Sequence, residues 1–156
     1  MPNEVRTIQL QLPSRLGYER VAMDAAGAAA KLMGFHISRV EDLRTAVSEA
    51  CINAMEHAHQ YNATMKVVVA LVIGSSSLQI DVADQGKGMP ESVESPDLTK
   101  KFSGEQTARG WGVFLIKSLM DEVQFNVRSE MGNVTRMVIR LEALEEEEQG
   151  STESGR

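Results

Sequence analysis

Residues 65–89 read MKVVVALVIGSSSLQIDVADQGKGM, and the fold turns on this stretch. Met65–Ile73 and Leu78–Ala83 are rich in Val, Ile and Leu, and Gly74-Ser75-Ser76-Ser77 between them is turn chemistry, so the two runs read as a β-hairpin. Asp84-Gln85-Gly86-Lys87-Gly88-Met89 follows directly on the second strand. Two glycines let a backbone approach a ligand closely or take positive φ, and an aspartate at a strand end can accept hydrogen bonds from a base. Alone, Asp-x-Gly-x-Gly is equally the pattern of an ordinary turn.

Upstream of the hairpin, Thr7–Leu12 alternates polar and apolar residues, the period of a half-buried strand, and Pro13 stops it. Leu16–Met33 is alanine-rich, with Val21, Ala25, Ala28, Ala29 and Leu32 at helical spacing and Gly34 placed to end the helix. Ser38 and Glu41 form a capping box for a second helix predicted to reach about Tyr61. Its inner face carries Val40, Leu43, Val47, Ala50, Ala54 and Ala58. Downstream, residues 89–109 lose all periodicity and contain Pro90, Pro96 and Gly104, the composition of a functional lid. Trp111–Met120 reads as a third helix, and Val123–Ser129 and Val134–Leu141 as a second hairpin around Met131-Gly132-Asn133. Hairpins with helices available for one face imply an α+β fold, a two-layer α/β sandwich with a mixed, mostly antiparallel sheet.

The chain has 156 residues, 42% of them hydrophobic, enough for one domain and too few for two. Residues 1–141 read as that domain and 142–156 as an acidic, disordered tail. The net charge is -6, and the stretch from Glu142 to Arg156 holds six carboxylates against one arginine. The body is therefore nearly neutral, which argues against binding nucleic acid over a broad basic surface. The single cysteine, Cys51, lies in an apolar-periodic segment and reads as a core residue. No signal peptide and no membrane-spanning run is present, so a soluble, cytoplasmic protein without a membrane partner is expected.

Two further constellations carry chemistry. Glu49 and Asn53 are four residues apart on the second helix and project from one face, with His57 one turn on. A carboxylate beside a carboxamide can hold a divalent cation and orient a hydroxyl; it is also what a solvated polar stripe looks like. Arg109-Gly110-Trp111-Gly112 opens the third helix, where exposed N–H groups and an arginine suit a phosphate chain. Neither the P-loop pattern nor the His-Arg-Asp and Asp-Phe-Gly signatures of protein kinases occur.

Taken in order, Glu49 with Asn53, the strand-end Asp84-x-Gly86-x-Gly88, a lid, and Gly110-x-Gly112 opening a helix resemble the N, G1 and G2 boxes of the GHKL (Bergerat-fold) ATPases. Ser48-Glu49-Ala50, Asn53-Ala54, His57 and Met120-Asp121-Glu122-Val123 narrow the resemblance to the anti-sigma-factor serine/threonine kinases. It covers about residues 7–141. The resemblance implies ATP and Mg²⁺ as cofactors, with Asn53 ligating the metal and Glu49 acting as general base. It further implies that Asp84 reads the adenine amino group and that Gly86, Gly88 and Met89 line the nucleotide. Gly110 and Gly112 would border the phosphates, Arg109 the γ-phosphate or a docked partner, and Thr135 the adenine end. Its implied partners are a sigma factor, an antagonist (anti-anti-sigma) protein and a second copy of the chain. Trp111 departs from the family pattern in being bulky between the two glycines.

Two alternatives stand beside this reading. One is a histidine-kinase-like catalytic domain acting in trans, although no dimerisation hairpin carrying His36, His57 or His59 is evident. The other is a nucleotide-gated binding module without catalysis, which Glu49 argues against because binding alone needs no base.

Overall fold

The computed structural model describes residues 4–58, 64–85 and 108–142, without the side chains of 57, 58 and 108–110. Five strands, β1 (Arg6–Pro13), β2 (Lys66–Ile73), β3 (Ser77–Asp84), β4 (Glu122–Ser129) and β5 (Gly132–Arg140), form one sheet in the order β1-β2-β3-β5-β4. Every neighbouring pair is antiparallel. The helices are α1 (Glu19–Met33), α2 (Ile37–Asn53) and α3 (Ala108–Leu119), and a single π turn, Ala54–Ala58, prolongs α2. The α+β sandwich expected from the hairpins is the fold observed.

Alternation along the strands divides the sheet into two faces. Val67, Val69 and Leu71 of β2, with Leu78, Ile80 and Val82 of β3, point to the helices and meet Val40, Leu43 and Val47 of α2 in the main core. Each such side chain, fully buried, stabilises the fold by about 1.5–3 kcal/mol relative to leaving it exposed. The other face carries a small cluster of Val68, Ala83 and Val134. Beside it Arg136 donates from Nε and Nη2 to the two carboxylate oxygens of Asp81, at 2.9 and 3.0 Å, tying β5 to β3. Cys51 is a core residue as expected, and burial pushes its thiol up to about 12, leaving it inert.

Three expectations are corrected. The buried face of α1 is Ala22, Ala26, Gly27, Ala29 and Ala30, whereas Val21 and Leu32 stand 48% and 90% exposed. Alanines occupy several faces of this helix, so spacing alone does not single out the buried one. Next, the residue capping α2 is His36, whose Nδ1 accepts the Ser38 N–H at 3.1 Å, and the Ser38 hydroxyl lies 2.8 Å from the same nitrogen. Last, regular α-helix stops at Asn53, with wider π hydrogen bonding to Ala58; a single π turn is a frequent companion of functional sites. The remaining reach to Tyr61, the lid up to residue 107 and the tail beyond 142 lie outside the described residues.

Two glycines at positive φ separate backbone strain from steric need. Gly34 (φ +94°) ends α1 and has open space where a Cβ would go. Gly132 (φ +113°) begins β5, and a Cβ there would collide with the carbonyl oxygen of Asp84. We expect Gly34→Ala to cost only the left-handed strain, about 1–2 kcal/mol, and Gly132→Ala to cost clearly more, because backbone cannot rotate aside. Urea unfolding of the two variants checks this, and equal losses would contradict it.

Candidate active site

Glu49 and Asn53 end α2 one turn apart, on the side that faces α3. Gly112 of α3 lies directly over them. A Cβ at Gly112 would stand 3.0 Å from Glu49 Oε2 and 3.2 Å from both Nδ2 and Oδ1 of Asn53. The helices therefore approach so closely that a methyl at Gly112 would press on the ends of the two polar side chains. Asn53 is buried and Glu49 half-buried. Burial raises the Glu49 carboxyl above its ordinary value, and the charge of Glu56, seven residues on, adds to the rise.

The sheet supplies the other half. Asp84, the last residue of β3, is 8% exposed and sits opposite Asn133, while Thr135 sits opposite Val82. Asp84 and Thr135 are thus diagonal neighbours on one face of adjacent strands, the face that carries Val82 into the core. The absence of a side chain at Gly132 leaves room for the Asp84 carbonyl at this strand end.

The residues singled out in the sequence fall into three groups. Glu49, Asn53 and Gly112 share one contact, and Asp84 and Thr135 share one strand pair. Arg109 and Gly110 lie in the first turn of α3, whose leading N–H groups have no acceptor within the helix, although the Arg109 side chain lies outside the description. Gly86, Gly88, Met89 and the His57 side chain also lie outside it. Trp111 turns to its own helix and meets Phe114 edge-on, with ring centroids 6.0 Å apart at 84°. Sequence reading missed Glu56 and Asn133. Glu56 was detectable as the next carboxylate on the Glu49 side of the helix; Asn133, a buried amide opposite Asp84, emerges only from the strand register.

Among the described residues no cluster of three or more His, Cys, Asp or Glu could hold a metal ion. Mg²⁺ needs none, because it commonly takes one or two protein oxygens and completes its shell with water and phosphate. The Asn53 carboxamide oxygen beside the Glu49 carboxylate fits that hard, oxygen-only donor set.

A five-stranded antiparallel sheet with its helices packed on one face is the architecture of a nucleotide-binding ATPase domain. The chain belongs to the histidine kinase-like ATPase domain family, whose sequence profile matches residues 12–139. Among its relatives, the serine-protein kinase RsbW of Bacillus licheniformis is 34% identical over 130 residues, covering 78% of this chain and 79% of that protein. RsbW of Bacillus velezensis is 32% identical over 141 residues, covering 88% and 87%. The solved RsbU and RsbW domains of a Mycobacterium tuberculosis protein share the fold, with a TM-score of 0.61 at 18% identity, over 87% of this chain and 32% of that one.

Two outcomes are expected. In Gly112→Ala the new methyl meets the ends of side chains that can turn away, so thermal stability should change little. Displacing Glu49 and Asn53 should instead lower single-turnover phosphoryl transfer about 10²-fold; a wild-type rate would contradict the seat described here. Raising the Glu49 pKa means that folding favours its neutral form. That contribution is present below the ordinary 4.5 and is lost as pH rises through the raised value. Glu49→Gln should therefore raise the Tm of the nucleotide-free protein at neutral pH, with the difference closing as pH falls below 4.5. A lower Tm at neutral pH would contradict it.

Proposed function

We propose that this protein is an ATP-dependent serine kinase that phosphorylates a small antagonist protein and sequesters a sigma factor when that antagonist is unavailable. The observation that carries the chemistry is the contact of Gly112 with both Glu49 and Asn53, which sets a base and a metal-binding amide side by side under a helix start.

In this reading Asp84 accepts a hydrogen bond from the adenine amino group, with Thr135 alongside, and the first turn of α3 turns its N–H groups to the phosphates. Asn53 would hold Mg²⁺, which when bound neutralises phosphate charge. Glu49 takes the proton from the antagonist's serine hydroxyl as its oxygen bonds to the γ-phosphorus. The bond from that phosphorus to the β–γ bridging oxygen breaks, and ADP leaves. A raised pKa suits Glu49 to this task, because a base nearer the working pH receives a proton more readily. Phosphoryl transfer asks little else of a protein than positioning and charge neutralisation.

Partner binding needs a surface rather than a base. Val21 and Leu32, exposed on the outer side of α1, provide an apolar one for a second copy of the chain. Among the described residues no helix is long and apolar enough to cross a membrane, and the proposed sigma-factor partner implies a cytoplasmic protein.

Three variants test the assignment. Glu49→Gln should lose about 10²–10⁴ in transfer rate while keeping ATP·Mg²⁺ affinity and sigma-factor capture. Asn53→Ala should lose nucleotide affinity and transfer together. Asp84→Asn, presenting a donor to a donor, should weaken ATP binding by about 1–3 kcal/mol. The measurements are single-turnover phosphorylation, an ATP titration by calorimetry and a pull-down. Undiminished transfer by Glu49→Gln would sink the kinase mechanism, and unchanged ATP affinity in Asp84→Asn the adenine assignment.

A further inference from the structure

The run Met120-Asp121-Glu122-Val123 takes no part in the chemistry above, yet it sits in a dense junction of hydrogen bonds and ion pairs. Arg39, in the first turn of α2, donates from Nη1 to the carbonyl oxygen of Leu119 at 2.8 Å and to Asp42 at 3.0 Å. Its Nη2 lies 3.2 Å from the Asp121 carboxylate. Asp121 in turn accepts the Arg140 backbone N–H at 2.8 Å, and Glu122 pairs with the Arg140 guanidinium at 2.6 Å. One guanidinium thus joins the start of α2 to the end of α3, and one carboxylate joins that end to the last residue of β5.

The position of this junction matters because α2 and α3 run antiparallel. Arg39 meets Leu119 at one end, and Glu49 and Asn53 meet Gly112 at the other. Glu49 is ten residues beyond Arg39, about 15 Å along the helix. Between the two ends Leu43 and Val47 of α2 and Ile116 of α3 belong to the one apolar core. Apolar packing is non-directional and tolerates sliding better than a hydrogen bond does. Arg39 is about three-quarters buried, and its directional partners are the Leu119 carbonyl at the end of α3 and Asp121 just beyond it.

We propose that Arg39 and Asp121 are positioning residues for phosphoryl transfer: by fixing the far end of α3 against α2 and β5, they hold Gly112 at the distance that aligns Glu49 and Asn53. This rests on the reading of Glu49 as the base. A displacement of about 1 Å at the reacting groups is enough to cost on the order of 10²-fold in rate.

The test is single-turnover transfer by Arg39→Met, which keeps the aliphatic stem and deletes the fork, with folding checked by circular dichroism. The rate at saturating ATP should fall about tenfold or more while the KM for the antagonist protein stays at the wild-type value. Combined with Gly112→Ala it should fall little below Gly112→Ala alone, since both act through one contact; a purely structural effect would multiply in full. Should Arg39→Met fail to fold, Arg39→Lys keeps the charge but cannot serve the carbonyl and both carboxylates, and it should show a smaller loss of the same kind. A folded variant transferring at the wild-type rate, or fully multiplicative losses, would overturn the proposal. If Glu49→Gln itself transfers normally, the failure belongs to the base assignment and not to the clamp.

Discussion

In the function proposed above, the chemistry depends on how closely α3 can approach α2. The limit is set by the absence of a side chain at Gly112, where even one methyl would stand 3.0 Å from the Glu49 carboxylate. At this contact Asn53 is buried, and burial of Glu49, with the charge of Glu56 adding to it, raises the Glu49 pKa. The hydrophobic core supplies the force that presses the helices together, and the hydrogen bond from Arg39 to the Leu119 carbonyl adds a directional contact at the far end.

The sheet imposes a second constraint of the same kind. Asp84 ends β3 where β5 begins, and Gly132 leaves room there for the Asp84 carbonyl. The carboxylate proposed to read the adenine is thus held by backbone pairing, and the base and amide by helix packing. In the proposed function the strand end recognises one end of the nucleotide and the helix pair aligns the other for reaction.

Much of this was legible in the sequence, and the parts that were not share a cause. The two hairpins follow from Val- and Ile-rich runs around turn residues, and the Glu49–Asn53 face follows from helical spacing, since both are local properties. The glycines of Arg109-Gly110-Trp111-Gly112 were visible as a helix opening, but the contact that requires Gly112 spans two helices and needs the tertiary arrangement. The apolar spacing of α1 marked a helix without marking its buried face, because alanine is spread over several faces, and Ser38 was taken for a cap where His36 performs that role. Arg39 reaches a carbonyl eighty residues away in sequence, beyond any local pattern.

The central claim is that the phosphates, not the adenine, engage the Gly112 seat. Amide chemical shifts of the folded protein, followed while adenosine and then a non-hydrolysable ATP analogue with Mg²⁺ are added, test this most directly. Adenosine should move the amides of Asp84, Asn133 and Thr135 and leave Gly112 and the Asn53 side-chain amide in place, whereas the analogue with Mg²⁺ should move all five. Unmoved Gly112 and Asn53 signals with the analogue bound would contradict the account.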